Sequence, residues 1–121
     1  MTTLPRLRVS MISLGVKDMT RSVQFYTETL GLSLDGKPGV VTLVRAGAVS
    51  IALNEPLGRA ADVLPGATEI IFPVDSVADG HDALAERGCN FLAPPHEIYP
   101  GMWAATFTDP DGHKLTILGP R

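Results

Sequence analysis

The sequence predicts an α+β fold: two βαβββ modules forming a curved eight-stranded mixed sheet, with one helix per module on the outside. Three observations predict it. Ahead of each of two helical stretches, apolar residues sit at alternate positions: Ile12, Leu14 and Val16, then Ile70, Phe72 and Val74. A glycine stops each helix, and aligning Val16 with Val74 and Gly31 with Gly88 gives offsets of 58 and 57 residues. Strand-forming runs joined by turn signals follow each helix. The 121 residues therefore read as one domain. Module 1 runs over about residues 7–54 and module 2 over about 69–118, with residues 54–68 as an irregular joint.

The elements follow in order. Residues 7–16 form a half-buried strand, its apolar set facing the core. Asp18 or Thr20 caps a helix near residues 20–30, carrying Val23, Phe25, Tyr26 and Leu30. Two β-branched runs, Val40 to Val44 and Val49 to Leu53, flank a hairpin turn at Ala46-Gly47-Ala48. In module 2, Glu69 to Val74 is a strand, and Ser76 with Asp79 opens a helix near residues 77–87. Phe91-Leu92 starts another strand, and a loop runs through Pro94-Pro95-His96. Residues 103–108 and 114–118 form a hairpin around Asp109-Pro110-Asp111-Gly112. By alternation, Met11, Ser13, Gly15, Glu69 and Ile71 line a hollow opposite the helices.

Composition narrows the function. A net charge of −3, with 10 Lys and Arg that form no stripe, argues against nucleic acid as a partner. The longest apolar stretch, Gly39 to Leu53, is broken by Thr42, Arg45 and Ser50, too short a run to span a membrane. Arg6 and Arg8 precede no apolar block, so no secretory signal is expected. Cys89 is the only cysteine, which excludes an internal disulfide and fits a reducing cytoplasm. Its plain reading is a small half-buried hydrophobe.

The segment Ile12-Ser13-Leu14-Gly15-Val16-Lys17-Asp18, with Ser22-Val23-Gln24-Phe25-Tyr26 and Leu30-Gly31-Leu32, resembles the opening of vicinal-oxygen-chelate proteins. The closing segment Phe107 to Leu118, FTDPDGHKLTIL, resembles that family's last hairpin. The group includes glyoxalases, ring-cleaving dioxygenases, fosfomycin-modifying enzymes and bleomycin-binding resistance proteins. The resemblance covers essentially the whole chain. It implies a divalent metal in the hollow, held by His or Gln on the first strand, His on the fifth and Glu on the last. Carried over by motif, those positions are Met11, Glu69 and Thr116, and a further carboxylate position falls at Ala52.

The chain departs from the family pattern at every one of these positions. Divalent ions of this kind take carboxylate oxygen or imidazole nitrogen. A thioether, a hydroxyl and a methyl group replace three donors, and Glu69 alone does not make a site. Of the histidines, His81 falls on the second helix and His113 in the last turn, so only His96 is near enough to the hollow to be suspected. The expectation is therefore no metal and no other cofactor. Asp109 and Asp111 read as turn chemistry, and Asp75, Asp79 and Asp82 as a solvated helix start.

Two functions follow. In the first, the chain binds a small, partly apolar molecule among Met11, Ser13, Asn54, Tyr99, Met102, Trp103 and Thr116, with residues 96–102 as a lid. Trp103 and Tyr99 offer stacking surfaces, Met11 and Met102 adaptable apolar contact. In the second, Glu69 acts alone as the general base of a metal-independent lyase or isomerase. A carboxylate against an apolar hollow with no cation nearby suits that role, whereas an ion pair with Arg45 or Lys114 would remove it. The resemblance further implies a homodimer.

Overall fold

The computed structural model describes residue 9, residues 11–60 and residues 69–121. Of the strand expected over residues 7–16, residues 7, 8 and 10 lie outside the described residues, and β1 spans Met11–Gly15. Helix α1 (Met19–Gln24) opens where the Asp18 carboxylate accepts a hydrogen bond from Arg21 N at 3.1 Å. Of the two candidate caps, Asp18 is the one used. The helix widens into a π-helical turn (Phe25–Thr29) and ends at Gly31, whose φ of 75° suits a residue without Cβ. Strands β2 (Ser33–Asp35), β3 (Val41–Ala46) and β4 (Val49–Asn54) complete the first half. β1 pairs parallel with β4, and the sheet order is β1-β4-β3-β2.

The joint between the halves differs from expectation. Residues 55–60 are not irregular but form helix α2 (Glu55–Ala60), its first turn capped by the Asn54 side-chain carbonyl, which accepts from Leu57 N at 2.9 Å. α2 packs on β1 at very short range: a Cβ on Gly58 would collide with the backbone of Val16. The rest of the joint, 61–68, lies outside the described residues.

The second half repeats the first. It comprises β5 (Glu69–Pro73), α3 (Val77–Glu86), β6 (Asn90–Phe91), β7 (His96–Tyr99), β8 (Met102–Thr108) and β9 (Lys114–Gly119). Ser76 caps α3 by accepting from Asp79 N at 3.1 Å. β5 pairs parallel with β9 as β1 does with β4, in the order β5-β9-β8-β6. The strand β7 was expected as loop and lid. It pairs instead with the near half of β8, because Tyr99 and Met102 close a tight reversal around Gly101, φ 81°. The α+β class and the two modules are as expected, but the described strands number nine in two mixed sheets, not eight in one.

Each sheet has one face under its helix, and these faces share one apolar cluster. Val16, Tyr26, Val44, Ile51 and Leu53 come from the first half, Ile70, Val77, Phe107, Leu115 and Ile117 from the second. Burying each side chain of this size is worth about 1.5–3 kcal/mol of transfer free energy. A polar tie crosses the same boundary. The Tyr26 hydroxyl, fully buried, donates to Asp109 Oδ2 at 2.8 Å. Asp109 Oδ1 accepts from the amides of Asp111 and His113. Asp111 accepts from Lys17 N and from Ser22 Oγ, and His113 Nε2 donates to the Gly15 carbonyl at 2.7 Å. Burial and the neighbouring carboxylate push the Tyr26 hydroxyl far above the usual tyrosine range. Burial likewise pushes the Asp109 carboxyl up, against the opposing pull of His113 and the three donors.

Candidate functional site

The faces turned away from the helices are the remaining places for a site. Strand alternation and register decide what each carries. On the first sheet, Met11 pairs with Ser50, Ser13 with Ala52 and Gly15 with Asn54, all on the open face with Val41, Leu43 and Arg45 of β3. Asn54 Nδ2 donates to Ser13 Oγ at 3.3 Å while its carbonyl caps α2, so this side chain is anchored at both ends. On the second sheet, Glu69 pairs with Lys114 and Ile71 with Thr116, and Thr106 stands beside Thr116 across the next strand. The two threonine hydroxyls are 2.7 Å apart, and Thr116 is buried beneath its neighbours. His96, Tyr99 and Met102 extend this face along β7 and β8.

The expected site residues thus fall into two sets on two sheets. Met11, Ser13 and Asn54 share one open face; Glu69, Thr116, Met102 and Tyr99 share the other. Trp103 belongs to neither. It pairs with Gly119, one residue out of phase with Thr116, and packs against the core with Phe107 and Ile117 on the helix side. The Arg121 guanidinium lies over its ring at 5.1 Å. Placing Trp103 beside Thr116 is therefore corrected by the period of two. Among the described residues, side chains on both open faces stay exposed: Met11 is 48% exposed, Ile71 50% and Tyr99 57%. Two cavities among the described residues lie elsewhere, at the boundary between the halves.

Glu69 is exposed on the edge strand β5 with Lys114 as its lateral neighbour. Among the described residues its strand neighbour is a cation, whereas a lone base is suited by apolar, cation-free surroundings. No ion pair holds it among the described residues.

Fold and site together admit a comparison with known proteins. The model of the Glyoxalase/Bleomycin resistance protein/Dioxygenase superfamily matches residues 8–117. The chain belongs to this superfamily. Its solved relatives within the fold differ widely in what they are. An antibiotic binding protein from Streptomyces sp. CB03234, TnmS3, is 26% identical with a TM-score of 0.77, covering 98% of this chain and 100% of that one. A lactoylglutathione lyase from Agrobacterium tumefaciens is 20% identical with a TM-score of 0.75, covering 95% of each chain. A glyoxalase/bleomycin resistance protein/dioxygenase from Nocardioides is 22% identical with a TM-score of 0.76, covering 98% of this chain and 86% of that one.

The superfamily's metal positions can now be tested against the donors present. Met11 and Ala52 lie on one sheet, Glu69 and Thr116 on the other. Ala52 has no donor atom, the Thr116 hydroxyl is engaged with Thr106, and Met11 offers only a thioether. These residues do not fit a divalent ion. Among the described residues no group of three or more His, Cys, Asp or Glu could replace them. His81 packs its ring against Phe91 at 4.3 Å, His113 holds Gly15, and His96 is exposed beside the Pro94 carbonyl. Cys89 is buried, and burial pushes its thiol up, away from reactivity.

The polar tie is what sequence reasoning missed. Asp109 and Asp111 do make the expected turn, but the same carboxylates also reach the first half. The signal was present in a tyrosine within the first helix and two acids in a rigid turn, yet nothing local says that they meet.

Proposed function

We propose that this superfamily member binds a small, partly apolar molecule on its open sheet faces without a metal ion, and that a second copy of the chain completes the cavity. The observation that carries this reading is the exposed apolar surface opposite a finished core. Met11 and Val41 on one sheet and Ile71 on the other stand out in water, flanked by hydroxyl groups at Ser13 and Thr106. Sheets with one sealed face and one mixed face suit a ligand that is mainly apolar with a few hydrogen-bonding groups. The residues at the superfamily's metal positions support binding over metal chemistry. The likeness to an antibiotic-binding relative, the most identical of the three compared, points the same way. Because Met11, Val41, Ile71 and Tyr99 stay exposed in the single chain, a homodimer is the economical way to enclose a ligand. A single buried thiol is in keeping with action in the cytoplasm. No helix among the described residues is long and apolar enough to cross a membrane. The ligand, on this reading, is neither nucleic acid nor lipid bilayer.

Native mass spectrometry of freshly purified protein, combined with elemental analysis, tests the proposal. The expected result is a dimer retaining a small organic molecule and no stoichiometric metal. Near-stoichiometric nickel, zinc, iron or manganese that disappears in Glu69→Ala would overturn it.

A further inference from the structure

We propose that the boundary between the two halves is a second binding site, for a small neutral apolar molecule the size of a single aromatic ring. A half-open cavity of about 170 Å³ lies there. Leu30 and Leu32, at the end of the first helix, form one wall. Phe72, Leu84, Phe107 and Ile117, from β5, α3, β8 and β9, form the other. Every lining side chain is apolar. A water molecule needs two to four polar partners to settle in such a space, and none of the lining side chains supplies one. An apolar cavity of about 150 Å³ lined by Leu, Ile and Phe is known to stay dry and to accept benzene or xenon. The volume and the lining here are similar, but this cavity is open on one side, so an occupant would displace water that the lining side chains hold by no hydrogen bond.

The site is physically separate from the open faces. Phe72 alternates with Ile71 along β5, Phe107 with Thr106 along β8, and Ile117 with Thr116 along β9, so the cavity lies on the helix side of the second sheet. The inference therefore does not rest on the reading of the open faces. An occupant would touch both halves at once, Leu30 and Leu32 from the first and Phe72, Leu84, Phe107 and Ile117 from the second. Binding would favour the docked arrangement of the halves and raise the unfolding temperature with ligand concentration.

Benzene and xenon, added to the full chain, are the probes. Methyl-resolved NMR should show shifts at Leu30, Leu32, Leu84 and Ile117 that saturate with benzene, while the Ile71 methyls stay still. The unfolding midpoint should rise in parallel. Leu84→Phe fills the space and should abolish the shifts; Leu84→Ala enlarges it and should still show saturable benzene shifts at Leu30, Leu32 and Ile117. If Leu84→Phe fails to fold, wild type and Leu84→Ala decide. Absence of saturable shifts in both, shifts centred on Ile71, or unchanged benzene binding by folded Leu84→Phe would each overturn the proposal.

Discussion

The two faces of each sheet are made from the same strands, yet they are built for different ends. Toward the helices, Ile12, Leu14, Ile70, Phe72, Phe107, Leu115 and Ile117 join a shared cluster, and every buried side-chain polar atom among the described residues has a partner. Away from the helices, Met11, Val41, Ile71 and Tyr99 remain in water beside serine, threonine and charged residues. The difference teaches where the core ends and where the proposed binding surface begins. A residue's face, set by a period of two, decides which kind of consequence its substitution has.

The largest effect should come from the helix side. Tyr26→Ala removes a fully buried ring and leaves Asp109 without its hydroxyl donor, at a cost of about 3–5 kcal/mol. Tyr26→Phe keeps the ring and loses only the hydrogen bond, costing about 1–3 kcal/mol. Urea unfolding of both variants measures the tie and the ring separately. Equal losses would mean that the hydrogen bond carries the whole contribution and the ring packing none.

Trp103→Ala comes next. The indole is half-buried against the core, so truncation should destabilise by about 2 kcal/mol, below the range for fully buried aromatics. Ligand retention by the folded fraction should stay intact, since the ring faces away from Ile71 and Thr116. A variant of normal stability that has lost its ligand would move Trp103 to the other side of the comparison.

A smaller, pH-dependent effect follows from Asp109. Its carboxyl is raised in the folded chain, so the folded state holds the proton more tightly than the unfolded state. The associated stability is fully present below the ordinary carboxylate range and is lost as pH rises through the raised folded value. Asp109→Asn should flatten that part of the stability profile, measured by thermal unfolding across the acidic range. Tyr26 acts in the same sense at high pH. Stability should decline above about pH 10 in wild type, and less so in Tyr26→Phe.

Much of the fold was legible because it rests on local chemistry. The caps at Asp18 and Ser76, the stops at Gly31 and Gly88 and the turn at residues 109–112 depend on neighbours a few residues away. Alternation placed Met11 and Glu69 on the open faces for the same reason. The short helix α2 was also readable in principle, from Asn54 as a cap followed by Pro56 in the first turn. Trp103 was misplaced although the sequence contained the answer. Thr106 and Thr116 stand opposite each other across the turn, which puts position 103 out of phase with both. β7 was hidden because Pro94-Pro95 and Gly101 suggest a loop, and only pairing with β8 makes residues 96–99 a strand. The Tyr26–Asp109 contact joins residues 83 apart in the chain, a distance no local pattern spans.

The division between the faces is tested most directly by native mass spectrometry of Ile71→Asp beside wild type. Ile71 is half exposed at the edge of the second sheet, so the change should leave the chain folded, although loss of a bound ligand and of a second copy would itself lower the apparent unfolding midpoint. It should yield a folded monomer that retains no small molecule, because a carboxylate now interrupts the apolar surface proposed to hold both ligand and second copy. A variant with the same subunit mass distribution and the same retained molecule as wild type would contradict the assignment of binding to the open faces.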